Sequence, residues 1–146
     1  MTSTPAPRLV AVGFAGLGLT AALAGCATTA SGAQGDAGVN PDADTSAEYA
    51  DGTYTAQGDY VSPAGPSKIT VEITLTDDLV TDVVVTPLAT EGNSVQFQGQ
   101  FADGIATVVT GKDIDTLAVS RVGGSSLTSG GFADAVEKIK AEALVS

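Results

Sequence analysis

Histidine is absent from this 146-residue chain, cysteine occurs once, and Lys and Arg total six against 17 Asp and Glu. Each shortage removes a class of chemistry. Without histidine, and with Cys26 as the sole thiol, Ser-His-Asp and Cys-His nucleophile systems and the usual zinc sites are excluded. A single cysteine forms no intrachain disulfide. The formal net charge of −11 argues against nucleic acid and against electrostatic binding to anionic lipid. An enzyme working with carboxylates alone has no paired-acid motif to use. Asp113 and Asp115 alternate as metal ligands sometimes do, but no third ligand is evident, and both read as solvated loop carboxylates. Long apolar runs are lacking too. The stretch from Leu9 to Ala24, broken only by Thr20, is too short for a comfortable membrane span and reads as the core of an export signal.

That stretch closes with Leu23-Ala24-Gly25-Cys26, which resembles the lipobox of bacterial lipoproteins. The resemblance implies that residues 1–25 are a signal peptide cut before Cys26, whose sulfur carries a diacylglyceryl group. Two acyl chains hold a protein firmly where one is marginal, since each buried CH₂ contributes about 0.8 kcal/mol. The expected location is the extracytoplasmic face of a membrane, with the membrane itself as partner through the anchor. Past Cys26, the segment 27–48 is rich in Ala, Gly, Asp, Thr and Ser, and Val39 is its only large aliphatic residue. Such a composition buries too little apolar surface to offset ordering entropy. Residues 26–48 therefore read as a lipid-anchored flexible tether with a reach on the order of 25 Å. Residues 49–146 read as one small domain.

Within that domain Asp51 to Tyr60 reads as a strand, followed by a Pro/Gly loop at Ser62–Pro66. Ile69, Val71, Ile73 and Leu75 alternate with Thr70, Glu72, Thr74 and Thr76, the period of a half-buried strand. Asp77-Asp78 supplies a tight turn into a valine-rich partner strand, Leu79 to Thr86. The period then changes to that of a helix. Phe97, Phe101, Ile105 and Val109 recur every four residues, with Asn93 or Ser94 as the expected cap and Gly111 as the terminator. Asp115 to Val122 reads as a last strand. The final helix carries Phe132, Ala135, Val136, Ile139 and Ala143 on one face and an Asp134–Lys138 pair on the other. The expected class is α+β, a small antiparallel sheet with two helices packed on it.

Between the last strand and the last helix runs Ser120-Arg-Val-Gly-Gly-Ser-Ser-Leu-Thr-Ser-Gly-Gly-Phe132. Glycines and hydroxyls at a helix N-terminus favour an anion, most often a phosphate. Gly123 and Gly124 permit positive φ and close backbone approach. Ser125, Ser126, Thr128 and Ser129, with Leu127 among them, are candidate contacts. Arg121 is the nearest cation and Lys68 the other candidate. The plainer reading of the same run is a turn followed by a helix cap. The ring of a phosphorylated cofactor would need an apolar surface, for which Tyr60, Phe97, Phe101 and Phe132 are available. Helical spacing assigns Phe97, Phe101 and Phe132 to the core.

Taken together these segments resemble the small FMN-binding domain of bacterial electron-transfer flavoproteins and related lipoproteins. Asp51-Gly52-Thr53-Tyr54 matches the family's opening Asp-Gly-x-Tyr. Ile69 to Ile73 and Val80-Thr81-Asp82-Val83 match its two strand motifs. Ser120 to Phe132 aligns without a gap to its closing Asp-x-x-Ser-Gly-Ala-Thr-x-Thr-Ser-x-Gly-Phe motif, with Ser120 in place of the aspartate and Gly123-Gly124-Ser125-Ser126 in place of Ser-Gly-Ala-Thr. The resemblance covers residues 51–144. It implies FMN as cofactor, an electron carrier rather than a stand-alone catalyst, and redox proteins as partners. In covalent members a flavin transferase joins the FMN phosphate to the motif's threonine, a position occupied here by Ser126. The two departures from the motif support an alternative, a cell-surface binding or structural module that keeps the fold and has lost flavin.

Overall fold

The period-two run of apolar residues places its side chains where alternation requires. In the computed structural model, which describes residues 37–146, Ile69, Val71, Ile73 and Leu75 are fully buried on one face of a strand spanning Gly65–Thr76. The elements in chain order are β1 (Ala37–Val39), β2 (Gly52–Ser62), β3 (Gly65–Thr76), β4 (Leu79–Pro87), α1 (Gly92–Val109), a 3₁₀ turn (Ile114–Thr116), β5 (Leu117–Val119) and α2 (Leu127–Ala143). β2, β3 and β4 form an antiparallel sheet in that order. Asp77 and Asp78 turn β3 into β4 with φ of 50° and 63°, the left-handed pair that a two-residue hairpin turn requires. Between Thr74 and Leu75 the register shifts, and the Thr81 hydroxyl there donates to the Thr74 carbonyl at 3.1 Å. The class is α+β, as the sequence predicts.

Both helices cover the same face of the sheet. Phe101, Ile105 and Val109 of α1 and Phe132, Ala135, Val136, Ile139 and Ala143 of α2 meet the β3 residues and Val80, Val83 and Val85 of β4 in one core. The rings of Phe101 and Phe132 lie 5.7 Å apart, tilted by 53°, in the favoured non-stacked geometry. α2 sits very close to β2. A Cβ built on Gly58 would fall 1.8 Å from the Gly131 carbonyl oxygen, so only a residue without a side chain admits this spacing. Outside the core, Lys138 pairs with Asp134 at 2.7 Å as expected, and it also reaches the Gln57 carbonyl and Asp59 of β2.

Several boundaries differ from the expected ones. The loop expected over 62–66 narrows to Pro63 and Ala64, because β2 and β3 stay paired out to Ser62 and Gly65. Phe97 is 41% exposed and is not core; the buried positions of α1 are Gln98, Phe101, Ile105 and Val109. Neither Asn93 nor Ser94 caps α1. The cap residue is Glu91, without a side-chain cap bond, because Gly92 begins the helix earlier. Gly111 follows the last turn with a φ of 79°, the conformation of a helix terminator. The expected strand over 115–122 is shorter, because the Asp113 carboxylate accepts the Asp115 N–H at 2.8 Å and winds Ile114–Thr116 into a 3₁₀ turn first. Asp115 is not solvated. Its side chain is 6% exposed, and Oδ1 accepts the Tyr49 hydroxyl at 2.7 Å and Lys140 Nζ at 2.8 Å. Burial first, then this bond to Asp115, pushes the Tyr49 phenol well above its ordinary range.

Composition predicts a tether running to residue 48, yet Ala37–Val39 pairs antiparallel with β5, and the Asn40 N–H donates to the Thr116 carbonyl. Glu48 accepts the Val145 N–H at 2.8 Å, and Tyr49 bridges to Leu144. Backbone pairing of this kind needs no large side chain, which is why composition does not reveal it. Cys26 and the leader lie outside the described residues. Among the described residues no helix is long and apolar enough to cross a membrane.

Candidate functional site

Val122 and Ser125 pair across a tight turn formed by Gly123 and Gly124, with Ser125 N donating to the Val122 carbonyl at 2.9 Å. Both glycines adopt positive φ, 56° and 78°, as their sequence position suggests. Gly123 serves packing: a Cβ there would lie 2.5 Å from the Gln100 carbonyl oxygen of α1. Gly124 faces open space. The turn therefore anchors one end of the hydroxyl run against α1 and delivers the other to the first turn of α2.

This delivery builds one wall of a cleft of about 470 Å³. Gly124, Ser125, Ser126, Leu127 and Thr128 form that wall. The tip of the β2–β3 hairpin contributes Tyr60, Ser62, Pro63 and Ala64, and the start of α1 contributes Asn93, Ser94 and Phe97. The size lies within the range of small-molecule sites, and the lining is of the usual kind, mostly apolar with a few convergent hydroxyls. Among the described residues no charged side chain lines it. Its electrostatics come from backbone: α2 starts at the cleft with no acidic residue in its first turn and no side-chain cap bond from Ser126, and its N-terminal end carries partial positive charge.

The hydroxyls divide by environment. Ser126 is exposed on the cleft wall. Ser125 and Thr128 are buried, their Oγ atoms 2.7 Å apart, and Thr128 Oγ1 lies 3.5 Å from the Tyr60 hydroxyl. Ser129 is buried, donates to the Ser125 carbonyl at 3.0 Å, and does not line the cleft. Arg121 is exposed and outside the lining. Lys68 pairs with Asp59 on the surface. Of the sequence candidates, then, Gly124 to Thr128 come together at the cleft, whereas Gly123, Ser129, Arg121 and Lys68 do not line it.

Tyr60 is held from behind. Gln98, fully buried, donates from Nε2 to the Tyr60 hydroxyl at 2.8 Å and to the Lys68 carbonyl at 2.9 Å. Its Oε1 accepts the N–H groups of Leu88 and Ala89 at 2.9 and 2.8 Å. The Tyr60 ring lies against α2 where Gly131 leaves room; a Cβ there would come within 2.7 Å of Tyr60 Cδ1. Gln98 escapes sequence reasoning because a glutamine on an apolar helix stripe gives no signal of its own. The sequence marks Asn93 and Ser94 only as caps, although they line the cleft. Among the described residues no group of three His, Cys, Asp or Glu side chains is positioned to hold a metal ion. Compared with known proteins, the chain matches no family model, and no curated protein or solved structure matches it significantly.

Proposed function

We propose that the domain is a lipid-anchored, extracytoplasmic FMN-binding carrier of electrons. The observation that supports this most is the junction of the glycine-hydroxyl run with an open cleft walled by Tyr60, Phe97 and Leu127. A phosphoryl end suits the hydroxyls and backbone N–H groups at the start of α2, and a ring system suits the apolar remainder. The residues present fit the group. Bound flavin would supply reversible electron transfer, while the chain binds, orients and shields it. Gly124 offers bare backbone, with nothing within 4 Å of the place a Cβ would take, so a phosphoryl group has room to approach closely. Ser126, exposed on the wall, is the residue whose hydroxyl would take the flavin phosphate in a covalent form. The anchor would be Cys26, and redox proteins and a flavin transferase would be the partners.

Co-expression of the full chain with a flavin transferase tests the reading. Yellow protein whose intact mass includes FMN, with the covalent flavin lost in Ser126→Ala, is the expected result. Unmodified mass with and without the transferase would end the covalent form. Colourless protein that also ignores added FMN would end the carrier reading altogether. It would leave a second reading, a surface binding module that has lost flavin. One observation favours that second reading: the hydroxyls of Ser125, Thr128 and Ser129 already have partners within the loop and α2.

A further inference from the structure

Three hydroxyls meet where the cleft touches α2. Ser125 Oγ and Thr128 Oγ1 are 2.7 Å apart, and Thr128 Oγ1 and the Tyr60 hydroxyl are 3.5 Å apart, a long link. All three residues line the cleft. The chain of hydroxyls ends on Gln98, and Gln98 fixes its polarity. Because Oε1 accepts two backbone N–H groups, the amide has one orientation, and Nε2 must donate to Tyr60. No hydroxyl proton can therefore be passed to Gln98. Three hydroxyls carry three protons, and the two links among them consume at most two. At least one proton is left over, whichever way the chain runs. With Ser125 Oγ also accepting the Thr128 N–H at 3.4 Å, the run goes from Ser125 to Thr128 to Tyr60, and the spare proton is the phenolic one.

From this count we infer that Tyr60 is a specificity-determining hydrogen-bond donor of the cleft, aimed by Gln98 and selecting a ligand that presents an acceptor, such as a phosphoryl oxygen, beside the start of α2. Gln98 is its positioning residue. The inference rests on the flavin reading, which supplies the ligand. The proton count itself requires an acceptor of any source. A cationic or donor group at that position would face the phenolic proton, on an oxygen that already accepts from Gln98 and Thr128.

Titration of the full chain with FMN and with riboflavin, which lacks the phosphate, tests the assignment. Tyr60→Phe keeps the ring and removes the donor. It should weaken FMN about tenfold, the usual cost of losing one bond to a charged acceptor, and leave riboflavin within about twofold of wild type. General damage to the site would weaken both ligands together, and that result would overturn the assignment while leaving the carrier reading in place. A second measurement does not depend on the variant folding. Replacing all tyrosines by 3-fluorotyrosine makes the phenol a stronger donor and should tighten FMN about twofold relative to riboflavin; an unchanged ratio counts against the donor. Wild-type protein that binds neither compound would remove the carrier reading and this inference with it.

Discussion

Replacing Gly58 with alanine adds one methyl group where β2 lies against the Gly131 backbone of α2. The new Cβ would lie 1.8 Å from the Gly131 carbonyl oxygen and 3.2 Å from the Ala135 Cβ, whereas separations under 3.0 Å essentially never occur. α2 would have to retreat from β2 by at least 1.2 Å, the difference between 3.0 and 1.8 Å. The buried side chains Phe132, Ala135, Val136, Ile139 and Ala143 would retreat with it, loosening contacts along the whole helix. Overpacking of this severity costs about 3 kcal/mol. For a domain of this size that is a fall in Tm of roughly 12 °C. Urea unfolding followed by circular dichroism measures the loss. Gly99→Ala is the matched control. Nothing lies within 4 Å of a Cβ at Gly99, inside α1, so the same chemical change should stabilise by about 0.5–1 kcal/mol through helix propensity. Two glycine-to-alanine changes of opposite sign are expected. A Gly58→Ala protein as stable as wild type would refute the packing of α2 on β2.

Two further outcomes follow from burial and charge. Phe101→Ala should cost about 3–5 kcal/mol in urea unfolding because the ring is fully buried against Phe132, whereas Phe97→Ala should cost under about 1 kcal/mol because its ring is 41% exposed; equal losses would refute the assignment of Phe97 to the cleft. The Asp134 carboxyl is held below its ordinary value by the Asp59 N–H first and Lys138 second, so its folded-state pKa lies below the unfolded one. Its contribution is therefore complete above the unfolded value and lost as pH falls through the folded value, and the Tm gap between wild type and Asp134→Asn should close below about pH 4. A gap that persists undiminished at about pH 2 would contradict it.

How much of this is legible in the chain depends on the kind of signal. The alternation of Ile69, Val71, Ile73 and Leu75 and the α2 stripe ending at Ala143 are strong periodic patterns, and both form core. Phe97 shows where periodicity fails. It continues the four-residue spacing of Phe101 and Ile105, but it stands in the first turns of α1 and opens onto the cleft instead. Gln98 lies at the next position and is buried, since the true stripe is offset by one residue at that end. Long-range pairing is invisible for another reason. β1 joins β5 through backbone groups, and Ala37, Gly38 and Val39 carry no pattern that marks a strand. The glycine-hydroxyl run announces a turn and a helix start. The opposite wall, from the β2–β3 hairpin and the start of α1, comes from distant segments that only folding brings near.

The pairing of β1 with β5 sets how far the domain could stand from an anchor at Cys26. If the chain left the fold at Tyr49, 23 residues would separate the two (49 less 26), about 80 Å at full extension. Departure at Ala37 leaves 11 residues (37 less 26) and about 38 Å. With Cys26 lipidated as proposed, such a leash would confine the cleft to a thin layer above the bilayer, where it would meet proteins embedded in or resting on the same membrane. Peeling β1 away would roughly double the leash, so a short stretch of backbone pairing would govern how deep a zone the domain can search.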